Sequence, residues 1–284
     1  MEGTITKILS DKCEVMIKKE VVICQIRGKL RANKLLPLVG DRVIIDKKMM
    51  IIEKILPRKN ELIRPKVANI TQGIIIQSLK NPSLDTNLID KILVELEFNN
   101  IKPVICFTKK DLLTKEELNN LLPIINYYKK LYDVYFNDEI LKIKKIFQNE
   151  VTVLIGQTGA GKSTLLNKLD SSLSLPTGEI SEALGRGKHT TRHVMMIPLF
   201  DGFILDSPGF SALDFYNMRQ IEIRDAFIEF AKYPCLFDDC MHITEDNCHV
   251  KDAVEKGLIL KSRYDNYLSF IKTAYNESEK YKRR

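Results

Sequence analysis

The sequence predicts an α/β protein in three parts: a small all-β barrel, a mostly parallel α/β sheet, and a helical segment with a metal-binding cluster. Short strand-like runs fill the first 56 residues, and strands and helices alternate after Pro57. Three cysteines and one histidine fall within 14 residues near the end. The 284 residues are enough for two domains or three small ones, at roughly 150 residues per domain. We place the three parts at residues 1–65, 66–218 and 219–284.

The composition excludes several classes of protein. Hydrophobic residues make up 44% and charged residues 29%, which argues against disordered, collagen-like and membrane proteins. No apolar run approaches the roughly 18 to 20 residues that cross a bilayer. The first residues lack an export signal, so the six cysteines do not indicate a disulfide framework. We expect a cytoplasmic protein with no membrane partner, and we expect it to be a monomer.

The positive charge is concentrated at the start of the chain. Residues 1–65 contain 15 Lys and Arg against 8 Asp and Glu, whereas residues 66–284 contain 29 of each sign. A basic surface of this kind favours a polyanion such as nucleic acid. A solvated, lysine-rich surface without a ligand would give the same charge.

The first part is predicted to be a barrel similar to the OB fold. A turn at Pro37–Asp41 precedes the fourth of five short strands, whose close spacing is typical of a small antiparallel barrel. The predicted strands are Thr4–Leu9, Glu14–Ile17, Val21–Ile26, Arg42–Ile45 and Met50–Ile55.

The second part is predicted to be a mostly parallel sheet, because strands and helices alternate. The predicted elements are strand Gly73–Gln77, helix Leu88–Glu97, strand Val104–Thr108, helix Lys115–Leu131 and strand Val151–Ile155. From about Gln220 the pattern is helical and is interrupted by the cysteines.

The strongest motif is a phosphate-binding loop between a predicted strand and a predicted helix. Successive glycines let backbone N–H groups surround phosphates, and the helix directs its positive end at them. Lys162 is expected to reach the β- and γ-phosphates, and Ser163 to ligate Mg²⁺. The predicted nucleotide-binding residues are Gly156, Gln157, Thr158, Gly159, Ala160, Gly161, Lys162, Ser163 and Thr164.

A second motif lies 43 residues after Ser163, where an apolar strand ends in Asp206-Ser207-Pro208-Gly209. This tetrapeptide alone is typical of a β-turn. After a phosphate-binding loop it is better interpreted as a GTPase switch, with Asp206 reaching Mg²⁺ and the Gly209 N–H reaching the γ-phosphate. A polar loop at 185–192 separates the two motifs and contains threonines that can complete the Mg²⁺ shell.

Selection of the base requires a motif of the Asn-Lys-x-Asp type, whose carboxylate accepts hydrogen bonds from guanine. Thr108-Lys109-Lys110-Asp111 ends a buried strand, where ligands of α/β sheets bind. Alone the tetrapeptide is a weak signal and is more typical of a solvated loop. It precedes the phosphate-binding loop, so together they predict a GTPase in circularly permuted order.

The cysteine cluster has the spacing Cys235-x4-Cys240-x-His242-x5-Cys248. Three thiolates and an imidazole close a tetrahedral shell around Zn²⁺ and leave no open position, which predicts a structural site. Reduced buried cysteines are the alternative, but Asp238, Asp239, Glu245 and Asp246 make the loop too polar for a core.

These motifs together resemble the RsgA (YjeQ) family of circularly permuted GTPases, which act in small ribosomal subunit maturation. The resemblance covers nearly the whole chain and includes Arg27–Arg31, Ala68–Gln72 and Arg263–Tyr267. It implies GTP hydrolysis stimulated by the small subunit, contacts with its rRNA, and the same four zinc ligands. Thr108 stands where the family usually has Asn, and Tyr135–Asp138 lacks the family's usual Ser-Ala at the base-stacking loop.

The catalytic water needs an orienting group, because Phe210 occupies the position that holds Gln in Ras-like enzymes. We predict that His189 takes this role, and the resemblance implies the same, although a solvated histidine is the alternative. Thr190 and Thr191 beside it, together with Lys162, complete the predicted catalytic set.

Two other functions remain open from the sequence. One is a nucleic-acid-binding module whose guanine-nucleotide site is structural and hardly turns over, which Phe210 favours. The other is an ATP-dependent kinase or ATPase, which would leave Thr108–Asp111 without a purpose.

Overall fold

The computed structural model describes residues 1–9, 11–18, 20–27, 36–63, 66–171, 194–206, 215 and 218–282. The chain forms two compact units, each made of two stretches of sequence. The first unit comprises Met1–Ile76 and Asn137–Ser211, and the second comprises Gln77–Phe136 and Ala212–Arg284. No helix among the described residues is both long and apolar enough to cross a membrane.

The first unit begins with a five-stranded barrel, as the sequence predicts. Its strands are β1 (Glu2–Ile8), β2 (Lys12–Ile17), β3 (Glu20–Ile26), β4 (Arg42–Asp46) and β5 (Ile51–Ile55). The strands pair in the order β1-β2-β3-β5-β4, and β4 returns to β1 to close the ring. The pairing of β3 with β5 is parallel, unlike the predicted antiparallel arrangement. Five strands in a closed ring cannot alternate direction throughout, so one neighbouring pair must run parallel.

Every second side chain along these strands fills the barrel. The same alternation of apolar residues in the sequence is what predicts the strands. The core residues include Ile5, Cys13, Val15, Cys24, Val43, Ile45 and Ile52. The predicted turn before β4 is fixed by an ion pair between Arg58 Nε and the buried Asp41 Oδ1 at 2.7 Å. Gly40 has a φ of +93°, and a Cβ there would lie 1.9 Å from the Ala68 carbonyl oxygen. Only glycine fits this close approach.

Beyond the barrel lie a short hairpin and then a series of strands and helices, which the sequence predicts except for strand Asp133–Phe136, helix Ile140–Ile146 and strand Met195–Leu199. The hairpin consists of β6 (Glu61–Ile63) and β7 (Lys66–Ala68). The alternating elements are β8 (Gln72–Ser78), α1 (Thr86–Phe98), β9 (Lys102–Thr108), α2 (Lys115–Lys129), β10 (Asp133–Phe136), α3 (Ile140–Ile146), β11 (Val151–Ile155), α4 (Lys162–Leu169), β12 (Met195–Leu199) and β13 (Gly202–Asp206).

The first unit joins its part of this sheet directly to the barrel. β11 lies between β8 and β13 and pairs with both in parallel. β12 runs antiparallel to β13, and Met195 of β12 pairs with Lys7 of β1. The barrel and the phosphate-binding half therefore share one continuous hydrogen-bonded sheet.

The second unit contains the parallel strands β9 and β10, the helices α1 and α2, and the C-terminal segment. That segment forms α5 (Gln220–Asp225), α6 (His249–Glu255) and α7 (Lys261–Lys282). Its core is aromatic: Phe227 packs against Phe230, Tyr267 and Phe270. The predicted helical C-terminal part is confirmed.

Candidate functional site

The predicted phosphate-binding loop connects β11 to α4 in the first unit. Gly156 follows the buried strand, and a Cβ there would lie 2.2 Å from the Ile76 carbonyl oxygen. Gly159 and Gly161 have φ angles of +78° and +98°, which L side chains rarely adopt. Glycine is therefore required at three points of the loop, each for a backbone reason.

The lysine of the loop lies at the first position of α4. Lys162 Nζ donates to the carbonyl oxygens of Gly156 at 2.5 Å and of Gln157 at 2.9 Å. The next residue, Ser163, is buried, and Leu165, Leu166 and Leu169 anchor the helix to the core. The ammonium group and the positive end of the helix thus meet at one loop, an arrangement suited to phosphate binding.

Asp206 is the last residue of β13, in register with Met195 of the neighbouring strand β12. Because β11 and β13 are parallel neighbours, their carboxyl ends lie at the same edge of the sheet. The backbone of Asp206 is therefore at the edge from which the phosphate-binding loop leaves. The side chain of Asp206 and the predicted residues His189, Thr190, Thr191, Gly209 and Phe210 lie outside the described part of the structure.

The predicted base-reading motif lies in the second unit at the end of β9. Thr108 is buried, and its carbonyl oxygen accepts a hydrogen bond from the Leu79 N–H at 3.1 Å. Lys109 has a φ of 59°, and its ammonium donates to the carbonyl oxygen of Asn81. Asp111 lies in an exposed 3-10 turn, Lys110–Leu112. The strand end thus presents the motif on a sharply turned, anchored backbone.

Phe136 lies within Tyr135–Asp138, where the family resemblance places the base-stacking loop, but its contacts were not predicted from the sequence. Its ring lies at the end of β10, with Lys110 Nζ at 4.6 Å and Lys129 Nζ at 5.2 Å from the centroid. Cation–π contacts at these distances hold the lysine that precedes Asp111. Parallel pairing of β9 with β10 places their carboxyl ends together.

The four predicted metal ligands converge in the C-terminal segment. Their ligand atoms all lie within 4.8 Å of one another. His242 Nδ1 is 3.3 Å from the sulfurs of Cys240 and Cys248 and 3.6 Å from that of Cys235. Tetrahedral zinc with Zn–S distances of about 2.3 Å and Zn–N distances of about 2.1 Å has ligand–ligand edges of this size.

Neighbouring groups hold the cluster in shape. Arg224 Nη1 donates to the carbonyl oxygens of Asp238 at 2.8 Å and Cys240 at 3.2 Å. The Tyr264 hydroxyl donates to the His242 carbonyl oxygen at 2.7 Å, which fixes the left-handed backbone at that residue. These contacts orient the ligands from outside, as protein metal sites require.

The electrostatics of the cluster suit a cation. Burial, followed by the charge of Arg224, lowers the pKa of His242, which keeps the imidazole neutral and able to ligate. Burial is the main cause that raises the pKa of Cys240 to about 12. The thiolate form of this buried sulfur therefore needs a neighbouring positive charge, which a bound Zn²⁺ would supply. The other cysteines, Cys13, Cys24 and Cys106, are buried in hydrophobic cores.

The barrel, the phosphate-binding loop that follows the base-reading strand in the sequence, and the Cys₃His cluster define a permuted P-loop nucleotide-binding protein. Comparisons with known proteins agree with this class. The RsgA GTPase family model matches residues 55–216, and the RsgA N-terminal domain model matches residues 2–50. The chain belongs to the RsgA GTPase family.

Relatives match the chain over nearly its full length. The small ribosomal subunit biogenesis GTPase RsgA of Enterococcus faecalis is 43% identical and is matched over 99% of its length by 100% of this chain. The corresponding protein of Pediococcus pentosaceus is 42% identical, over 99% of this chain and 96% of its own.

Two solved structures are also similar. YjeQ from Thermotoga maritima has a TM-score of 0.84 and 32% identity, covering 96% of this chain and 98% of its own. YloQ, described as a circularly permuted GTPase, has a TM-score of 0.83 and 35% identity, covering 97% of this chain and 95% of its own. The predicted permuted GTPase fold is confirmed.

Proposed function

We propose that this protein is a GTPase that binds the small ribosomal subunit and couples GTP hydrolysis to late subunit maturation and to its own release. The observation that carries the proposal is the match to RsgA relatives over the whole chain. The loop geometry at Lys162 supports it, because the ammonium and helix end are placed for a nucleotide phosphate. The relatives are named GTPases, which favours an enzyme over a structural nucleotide site.

In this proposal the first unit holds the phosphates. Residues 156–164 wrap the phosphate chain, Ser163 and Asp206 ligate Mg²⁺, and the Gly209 N–H binds the γ-phosphate. Mg²⁺ held by Ser163 and Asp206 would supply positive charge against the charge that develops on the phosphates during transfer. His189 orients the attacking water, and Thr190 and Thr191 complete the metal shell.

We also propose that guanine is read at the end of β9. The Asp111 carboxylate accepts the two hydrogen bonds that guanine donates, while Lys109 and Thr108 hold the turn in place. Thr108 stands where the family usually has Asn, so the side chain at this position is shorter, while the Asp111 carboxylate is retained.

We propose three functional parts, at residues 1–65, 66–218 and 219–284. The basic barrel binds rRNA through Arg27, which directly follows β3, and through Lys29, Arg31 and Lys34 further along the sequence. The GTPase part responds to nucleotide, and the C-terminal part carries one structural Zn²⁺ on Cys235, Cys240, His242 and Cys248. We also propose that the protein is a cytoplasmic monomer.

The test is GTP hydrolysis by the full chain with and without purified small subunits, together with co-sedimentation in GDP and in a non-hydrolysable GTP analogue. We expect turnover to rise with subunits, and one nucleotide state to bind them more tightly. His189→Ala should lower turnover with little change in nucleotide affinity, because only the attacking water loses its partner. Equal, slow turnover with and without subunits, or sedimentation that ignores them, would contradict the proposal.

A further inference from the structure

The loop that carries the metal ligands exposes two large apolar side chains in an acidic setting. Leu236 is 74% exposed and Phe237 is 71% exposed. Residues 233–250 include four Asp and Glu and no Lys or Arg. Exposed apolar residues beside one sign of charge are typical of an interaction surface rather than of plain solvated protein.

A groove of about 340 Å³ opens beside Phe237. Phe227 and Phe230, both buried, line it together with Asp225 and Asp238, and the metal ligands Cys235, Cys240 and His242 also border it. We call it the acidic groove. Phenyl rings with nearby carboxylates suit a long basic side chain, whose aliphatic stem packs on the rings while its charged head meets the carboxylates.

The positively charged side chain that lines the groove already has partners within the chain. Among the described residues that line it, Arg224 is the one Lys or Arg. Its guanidinium pairs with Asp225 at 2.8 Å and donates to the carbonyl oxygens of Asp238 and Cys240. In the described part of the chain no side chain pairs with the carboxylates of Asp238 and Asp239, and both residues are exposed. These two charges are available to a partner.

The sign of the charge decides between two classes of partner. Phosphate groups are repelled by unpaired carboxylates, so RNA is disfavoured here, in contrast to the basic residues 1–65. A protein segment rich in Lys and Arg gains from the carboxylates and can cover Leu236 and Phe237 with its apolar stems.

We propose that the acidic groove, with Leu236 and Phe237, docks a Lys- and Arg-rich protein segment that inserts a basic side chain among Phe227, Phe230 and Phe237. The inference rests on the proposed function, since it names a basic protein of the small subunit as the partner of this surface. The barrel would then contact RNA while the metal-bearing loop contacts protein.

The first experiment uses a fluorescent peptide of eight arginines as a probe, at low salt, with the full zinc-loaded chain. Asp238→Asn/Asp239→Asn should bind the peptide about three- to tenfold more weakly than wild type, because two unpaired charges are lost. Zinc content and GTP affinity should not change. Unchanged or tighter peptide binding by this variant overturns the inference, whatever the subunits do.

The second experiment measures affinity for intact small subunits and for protein-free rRNA. Leu236→Ser should lower affinity for intact subunits by about tenfold, as expected for an anchor at an interface, and leave rRNA binding unchanged. The matched control is Leu141→Ser on α3, since Leu141 is similarly exposed at 77%. If Leu236→Ser and Leu141→Ser have equal effects, Leu236 is not part of a docking site and the inference is overturned. If Leu236→Ser weakens binding to protein-free rRNA as much as binding to subunits, the partner is RNA and the inference is also overturned. Failure of the wild-type chain to bind subunits would instead overturn the proposed function.

Discussion

Arg263 is the buried centre of a charge network, and replacing it should destabilise the second unit strongly. Its side chain is 1% exposed. Nη1 lies 2.8 Å from Asp90 Oδ1, while Nε and Nη2 lie 2.5 and 2.9 Å from the two carboxylate oxygens of Glu229. Asp90 also accepts hydrogen bonds from Tyr128 at 2.6 Å and Asn266 at 2.7 Å. The network therefore joins α1, α2 and α7 within the second unit.

The expected loss follows from this geometry. Arg263→Met keeps the apolar stem but leaves two carboxylates in a dry site with no cation. Removing one partner of a buried ion pair costs about 3–5 kcal/mol. The control is Lys261→Met on the same helix, which breaks the Lys261–Asp265 pair at 2.7 Å. That pair is exposed, so its loss should cost less than about 1 kcal/mol.

The loss should also depend on pH, with a sign that the network fixes. Burial raises the pKa of Asp90, and the charge of Arg263 opposes this rise. Without the guanidinium the folded-state pKa rises further. A carboxyl with a raised folded pKa favours the folded state below its unfolded pKa, near 4, and loses that contribution as the pH rises. The gap between wild type and Arg263→Met should therefore widen from pH 5 to pH 8.

Urea unfolding of the full chain at several pH values measures both effects. The variant Arg263→Met/Asp90→Asn/Glu229→Gln, which removes all three charges, should recover most of the lost stability. A loss below about 1 kcal/mol for Arg263→Met, or no recovery in the neutralised variant, would refute the reasoning.

Three further predictions test other parts of the chain. Burial raises the pKa of Glu95, so Glu95→Gln should gain urea stability relative to wild type from pH 5 to pH 8, and a gap that does not change with pH would contradict this. Gly156→Ala would place its Cβ 2.2 Å from the Ile76 carbonyl oxygen and should abolish GTP binding measured by fluorescent nucleotide, so wild-type affinity would argue against the loop geometry. Cys240→Ser should lose zinc and become protease-sensitive after about residue 218 while still binding GTP, because structural zinc supplies about 10–16 kcal/mol in isolated peptides; one zinc retained per chain would exclude Cys240 as a ligand.

The sequence predicted the strands and loops whose structure depends on a few neighbouring residues. The alternation in β1–β5 and the glycines of the phosphate-binding loop are properties of short windows, and the structure matches both. The hairpin β6–β7 was missed because strands of three residues are too short to show a period.

The charge network was missed for a different reason. Arg263 and Asp90 are 173 residues apart, and nothing in either window marks the side chain as buried. Charged residues are usually exposed, so the sequence alone predicts that both side chains lie in solvent. Only packing of α7 against α1 brings them together.

The pairing of β1 with β12 has a consequence for the way the chain can be divided. β12 has β13 on one side and β1 on the other, through Lys7 and Met195. A fragment that begins after the barrel would lose the pairing of β12 at Met195, and an uncovered strand edge can recruit strands from other molecules. The N-terminal barrel therefore covers the edge of the sheet at β12. A form of this protein without the barrel would need another segment to pair with β12 in order to avoid aggregation.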